Sequence, residues 1–129
     1  MAQTSKKSVL AAALAHIDLK TETVTVPEWG GAEIVLSEMS GATRGAYEAA
    51  IATMGFYDPE TGKPNEVKFR QLFRPVVVAY SLADTEGQLR EDLINQLAGK
   101  NPKALDRLFV VADRLNLLSG QAHEEAAKN

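Results

Sequence analysis

His16 and His123 are the only imidazoles in the chain, and so the only side chains poised for proton transfer near neutral pH. A Ser or Thr nucleophile needs such a base beside it. His16 falls at the end of an expected helix, where an imidazolium is favoured by the helix dipole. His123 lies in a polar C-terminal stretch and reads as solvated. Neither has a second histidine at ligand spacing. Glu22, Glu28, Glu33 and Glu38 supply carboxylates that in pairs could serve hydrolysis. Their spacing suggests exposed strand ends, where carboxylates are ordinarily solvated, and nothing in the sequence brings two of them together. Gly30-Gly31 and Gly41 belong to no phosphate-binding glycine pattern, and no calcium-loop pattern occurs. There is no cysteine. Disulfides, thiolate nucleophiles and thiolate zinc sites are therefore absent, which matches a reducing compartment. The expectation is a protein that is not an enzyme, uses no cofactor or metal, and acts by binding other proteins.

Composition narrows the partners. The chain has 129 residues, 45% apolar and 24% charged, ordinary values for a folded domain. Fourteen basic residues face seventeen acidic ones, for a formal net charge of −3. A nucleic-acid binder needs a cationic surplus to neutralise phosphates, and no basic run here exceeds Lys6-Lys7. Val9 to Ala15 is too short for a membrane span, and as a signal-peptide core it has only seven residues, runs into His16 and is followed by no clean small-residue cleavage site. One domain over residues 1–120 is expected, with a flexible tail over 121–129.

The elements that would carry any surface follow from periodicity. Ser5 to Ile17 reads as a helix, with Val9, Leu10, Ala13, Leu14 and Ile17 on one side. Its alanines bury little area, so it needs a partner to hold it. Thr21 to Val26 and Ala32 to Leu36 read as two strands joined at Gly30-Gly31, with Pro27 at a strand end. Ser40 caps a helix from Gly41 to Met54, whose stripe is Ala46, Tyr47, Ala50, Ile51 and Met54. Glu66 to Leu82 reads as a helix that Pro75 kinks or splits; Val76-Val77-Val78 also suits a strand. Leu89, Leu93, Ile94 and Leu97 mark a short helix closed by Gly99. Asn101-Pro102 starts the last helix, which carries Leu105, Leu108, Phe109, Ala112 and Leu115 to about Leu118, with Gly120 as its stop. Glu66 with Arg70, and Glu86 with Arg90, stand four apart in the order that supports a helix. The fold class is α+β, mainly α: an N-terminal helix and a β-hairpin followed by a bundle of about four helices.

The apolar stretch from Phe69 to Tyr80 is wide enough to be buried on several sides. Either the domain covers it alone or another chain supplies part of the cover. Trp29, at the hairpin tip, poses the same choice, because an outward tryptophan is a strong interface anchor. Trp29, Phe69, Phe73, Val76, Val77 and Tyr80 are the candidate partner or self-association surface.

Three stretches in order resemble the tail assembly chaperones of long-tailed, siphovirus-type bacteriophages. The first is Thr23-Val24-Thr25-Val26-Pro27-Glu28-Trp29-Gly30-Gly31 with its following strand and Ser37 to Arg44. The second is Phe73 to Gly87, ending in Asp84-Thr85-Glu86-Gly87. The third is Ala104 to Asn116. Pro75 departs from the plain helix that the family likeness implies. The resemblance implies a non-enzymatic role in viral tail morphogenesis in the host cytoplasm: binding and solubilising the tape measure protein, recruiting tail tube subunits, and leaving before the mature virion forms. It also implies homo-oligomers, and a longer form made by ribosomal frameshifting that carries the tube-protein contact. Gln121 to Asn129 suits such a junction. The alternative is a generic protein-interaction adaptor or a structural head–tail component.

Overall fold

The computed structural model describes residues 2–118, with side chains from residue 9 onward. The elements are α1 (Ala2–Ala15), β1 (Thr21–Val26), β2 (Ala32–Ser37), α2 (Gly41–Thr53), α3 (Glu66–Ser81), α4 (Arg90–Ala98) and α5 (Pro102–Asn116). One helix and a hairpin thus precede four helices, as the periodicity predicts. The expected tail and the Gly120 stop lie outside the described residues.

The hairpin alternates as its sequence requires. Val24 pairs with Ile34, Val26 with Ala32 and Glu22 with Leu36. Val24, Val26 and Leu36 are buried, while Thr21, Thr23 and Thr25 face water. Pro27 lies just past β1 and opens a single 3-10 turn, Pro27–Trp29. Gly30 and Gly31 then take φ values of 68° and 77°. Only glycine adopts that conformation twice in succession without strain, and Gly31 N–H closes the tip on the Val26 carbonyl at 3.1 Å.

α3 is the centre of the fold. Pro75, Val76, Val77, Val78, Ala79, Tyr80 and Ser81 are all buried, so this stretch is covered on every side. α2, α4, α5 and β2 pack against it. The strand alternative for Val76-Val77-Val78 does not hold. The expected split at Pro75 does not occur either: one α-helix runs from Glu66 to Ser81. Proline removes one N–H from the ladder. The carbonyl left without that donor belongs to Gln71, an exposed residue where water can replace the bond. Asn65 caps α3, its side chain accepting from Lys68 N–H at 3.1 Å.

The other caps follow the sequence closely. The Ser40 hydroxyl accepts from Thr43 N–H at 3.1 Å. Asn101 accepts from Lys103 N–H at 2.8 Å, ahead of Pro102. α5 ends at Asn116, two residues short of the expected Leu118, because Leu117 takes a left-handed conformation with φ 51°. Ala46, expected on the buried stripe of α2, is exposed. Neither expected helix ion pair closes. Glu86 sits in a left-handed turn ahead of α4, where helical spacing does not apply. Arg90 instead donates from Nη1 to the carbonyls of Ala79 at 2.6 Å and Leu82 at 3.4 Å, with its guanidinium over the Tyr80 ring. It thereby neutralises the carbonyl end of α3. Glu66 and Arg70 do not meet within 4.0 Å.

Asn116 joins these layers. Its Oδ1 accepts from Met39 N–H at 2.8 Å. Its Nδ2 donates to Ser81 Oγ and the Ala112 carbonyl at 3.1 Å, with Ser37 O at 3.4 Å. The Asn116 carbonyl accepts from Arg44 at 3.2 Å. One buried amide therefore ties α5 to α3, to the end of β2 and to the approach to α2. A buried polar group left without its partner costs about 1–3 kcal/mol.

Two outcomes follow from this packing. Asn116→Ala should lower stability by about 2–4 kcal/mol in urea unfolding, since the buried Ser81 hydroxyl and the half-buried Met39 N–H both lose their partner. Burial pushes the Tyr47 phenol up to about 12 from 10.0. The folded state thus holds that proton more tightly than the unfolded chain, and the stability it contributes is complete below pH 10 and lost between 10 and about 12. Burial raises the Tyr80 phenol as well, so a phenolate absorbance titration should show late-titrating absorbance that falls, without vanishing, in Tyr47→Phe.

Candidate protein-interaction surface

The six candidate residues divide on folding. Val76 and Val77 are fully buried and Tyr80 nearly so. Tyr80 stacks edge-on against Tyr47 at 6.0 Å. These three are core, because α3 is enclosed at its C-terminal half, and they are not available to a partner in the folded chain. Trp29, Phe69 and Phe73 are half-buried at the rim of the core. Trp29 lies against α5, where Arg107 holds the neighbouring Glu28 at 3.0 Å.

Phe69 and Phe73 do not stand alone. Phe69 contacts Phe56 at 4.9 Å and Tyr57 at 5.4 Å between ring centroids. Phe73 contacts Phe69 at 5.6 Å and Phe109 at 5.9 Å. Phe56 is fully buried beneath them. Phe69, Phe73 and Phe109 line a shallow cleft of about 250 Å³ flanked by Arg70 and Arg74. Arg74 stacks over Phe109 at 5.7 Å and pairs with Asp106 at 2.9 Å. The exposed edge of this aromatic row suits an apolar side chain, and its two guanidinium groups suit an acidic neighbour. Phe109 was legible as an apolar position on α5 but not as a member of this cleft, which requires α3 and α5 to be packed together.

The hairpin carboxylates are structural. Glu22 accepts from Arg114 at 2.6 and 2.9 Å, and Glu38 accepts from Lys20 N–H at 2.7 Å. The Glu28 carboxyl lies below the usual carboxylate range, held there first by a backbone hydrogen bond and then by Arg107. Glu22 and Glu28 thus fasten the hairpin to α5. Glu33 is exposed on β2, on the same side as Val35. His16 is exposed beyond α1, and His123 lies outside the described residues. Among the described residues, no group of three or more His, Asp or Glu is arranged to hold a metal ion, and no helix is long and apolar enough to cross a membrane.

The family model described as phage tail assembly chaperone matches residues 5–129. The chain belongs to the phage tail assembly chaperone family. Its role is therefore in assembly of the phage tail, and that role is non-enzymatic. Among solved structures, the tail assembly chaperone of bacteriophage HK97 is 27% identical, with 88% of this chain and 94% of that one covered, at a TM-score of 0.43. No curated protein matches. Besides the aromatic cleft, α1 carries exposed apolar surface: Val9, Leu10 and Leu14 are 62–76% exposed.

Phe73→Ala should cost about 1–3 kcal/mol in denaturant unfolding, less than the about 3–5 expected of a fully enclosed phenylalanine. The cleft side of the ring already faces water. A loss at the upper value would make Phe73 core and remove it from the surface.

Proposed function

We propose that this chain binds the tape measure protein, keeps it soluble while the tail is built, and helps recruit tail tube subunits. It acts as a homo-oligomer in the host cytoplasm and leaves before the virion matures. A longer frameshifted form carries the main contact to the tube protein. Family membership over residues 5–129 carries this reading. The aromatic cleft supports it. Phe69, Phe73 and Phe109 offer ring edges at the surface, and Arg70 and Arg74 stand beside them.

The physical requirement is modest affinity repeated many times. A long apolar helix must be covered along its length and later released. Specific contacts commonly bury about 800 Å² per partner, and copies lined along one filament gain avidity without a tight single site. A shallow, open cleft gives each copy a grip that can be displaced.

Co-expression with its own phage's tape measure protein tests this. The soluble fraction of that protein should rise several-fold with the wild-type chain. It should fall back with Phe69→Ser/Phe109→Ser, provided that variant's circular dichroism is native. Equal solubility with and without the wild-type chain would overturn the reading.

A further inference from the structure

Every residue from Val9 to Lys20 is exposed, although the α1 stripe of Val9, Leu10 and Leu14 is aliphatic. No other helix leaves its apolar side uncovered in this way. An isolated helix shorter than about 12–15 residues is marginal in water, and α1 has 14. A helix with this stripe and no cover needs a surface supplied from elsewhere.

Three recesses with apolar lining lie on the body, and charge separates them: the one of about 570 Å³ beside the turn from Gly55 to Asn65 carries both Asp58 and Lys63, and so has no charge preference. The α1 sequence AQTSKKSVLAAALA has two lysines and no acidic residue. The aromatic cleft is flanked by Arg70 and by Arg74, whose charge Asp106 already meets at 2.9 Å, and its lining holds no carboxylate to attract a cationic helix. The third recess is a groove of about 310 Å³ between β2 and the turn that follows α3. Its floor is Ile34, Val35 and Leu82, and its rim carries Glu33, Asp84 and Glu86. Val35 is itself exposed. The groove floor is held in place by the backbone, since Ala83 N–H donates to the Val35 carbonyl at 3.0 Å. An aliphatic floor with an anionic rim matches an aliphatic helix with cationic charge.

We propose that α1 of one copy docks in the acidic-rimmed groove of a second copy, so that donor and receptor lie on different faces of the same chain. The proposal rests on the reading that the protein self-associates, and it names the surfaces that do so. Contact between unlike patches propagates from copy to copy, and it leaves the aromatic cleft free for a different polypeptide.

Complementation between two full-length variants tests it, read by light-scattering mass after gel filtration. The first variant, Leu10→Asp/Leu14→Asp, removes the donor stripe. The second, Glu33→Lys/Glu86→Lys, reverses the rim. The wild type should be a dimer or larger, and each variant alone a monomer with an unchanged urea midpoint. An equimolar mixture should recover a one-to-one dimer, because the first variant keeps its groove and the second its helix. A wild type that is monomeric overturns both self-association and this contact, and covers the case in which α1 folds onto its own groove. A wild-type oligomer that persists in the first variant overturns this contact alone, as does a mixture that stays monomeric. Solubility of co-expressed tape measure protein is an independent readout, so loss of the chaperone reading is distinguishable from loss of this interface.

Discussion

The C-terminal half of α3 has no exposed side, and the rest of the fold is arranged to keep it so. Seven successive residues, Pro75 to Ser81, are buried, so an amphipathic contact with one neighbour could not suffice. α4 and α5 cover it laterally, α2 approaches with Tyr47, and β2 closes the remaining side through the bridge between Leu36 and Leu82. Enclosure brings a polar problem with it, since Ser81 and the end of the helix are removed from water. Asn116 answers the first by donating to Ser81, and Arg90 answers the second by donating to the Ala79 and Leu82 carbonyls. Among the described residues, no buried side-chain nitrogen or oxygen lacks a partner, which is what a stable core demands.

This closed core has a consequence for function. With the valines and Tyr80 consumed internally, the surface left for partners is made of what the core could not absorb. At the N-terminal half of α3 the helix emerges from its cover, and Phe69 and Phe73 reach the surface beside Phe109. The rings are fixed from below by Phe56, so the cleft is preformed and loses little freedom on binding. The polar ties of the hairpin hold it to α5 at both ends, Glu28 to Arg107 at the tip and Glu22 to Arg114 at the open end.

A protein that acts in tail assembly is served by this separation of duties. Its own stability sits in an enclosed helix and a buried amide. Its uncovered apolar features, the aromatic cleft and α1, lie outside that core. Rim and core residues come from the same helix, α3, yet they answer to different partners.

Much of the fold is legible in the residues themselves. Asn101-Pro102 and Ser40 mark helix starts through local hydrogen bonds, and Gly30-Gly31 marks the hairpin tip, because these are interactions within a few residues of sequence. The alternation of Val24 and Val26 with threonine is equally local. What only the tertiary structure decided was allocation: which apolar residues of α3 are covered and which are left. Val76, Val77 and Tyr80 share their periodicity with Phe69 and Phe73, so no pattern along the chain separates core from surface. The separation is made by where α5, α4 and the hairpin come to rest. Asn116 was similarly invisible as a clamp, although it stands four residues after Ala112 on the apolar face of α5. Its partners, Met39 and Ser81, are 77 and 35 residues away, and hydrogen bonds over such separations exist only once the chain has folded.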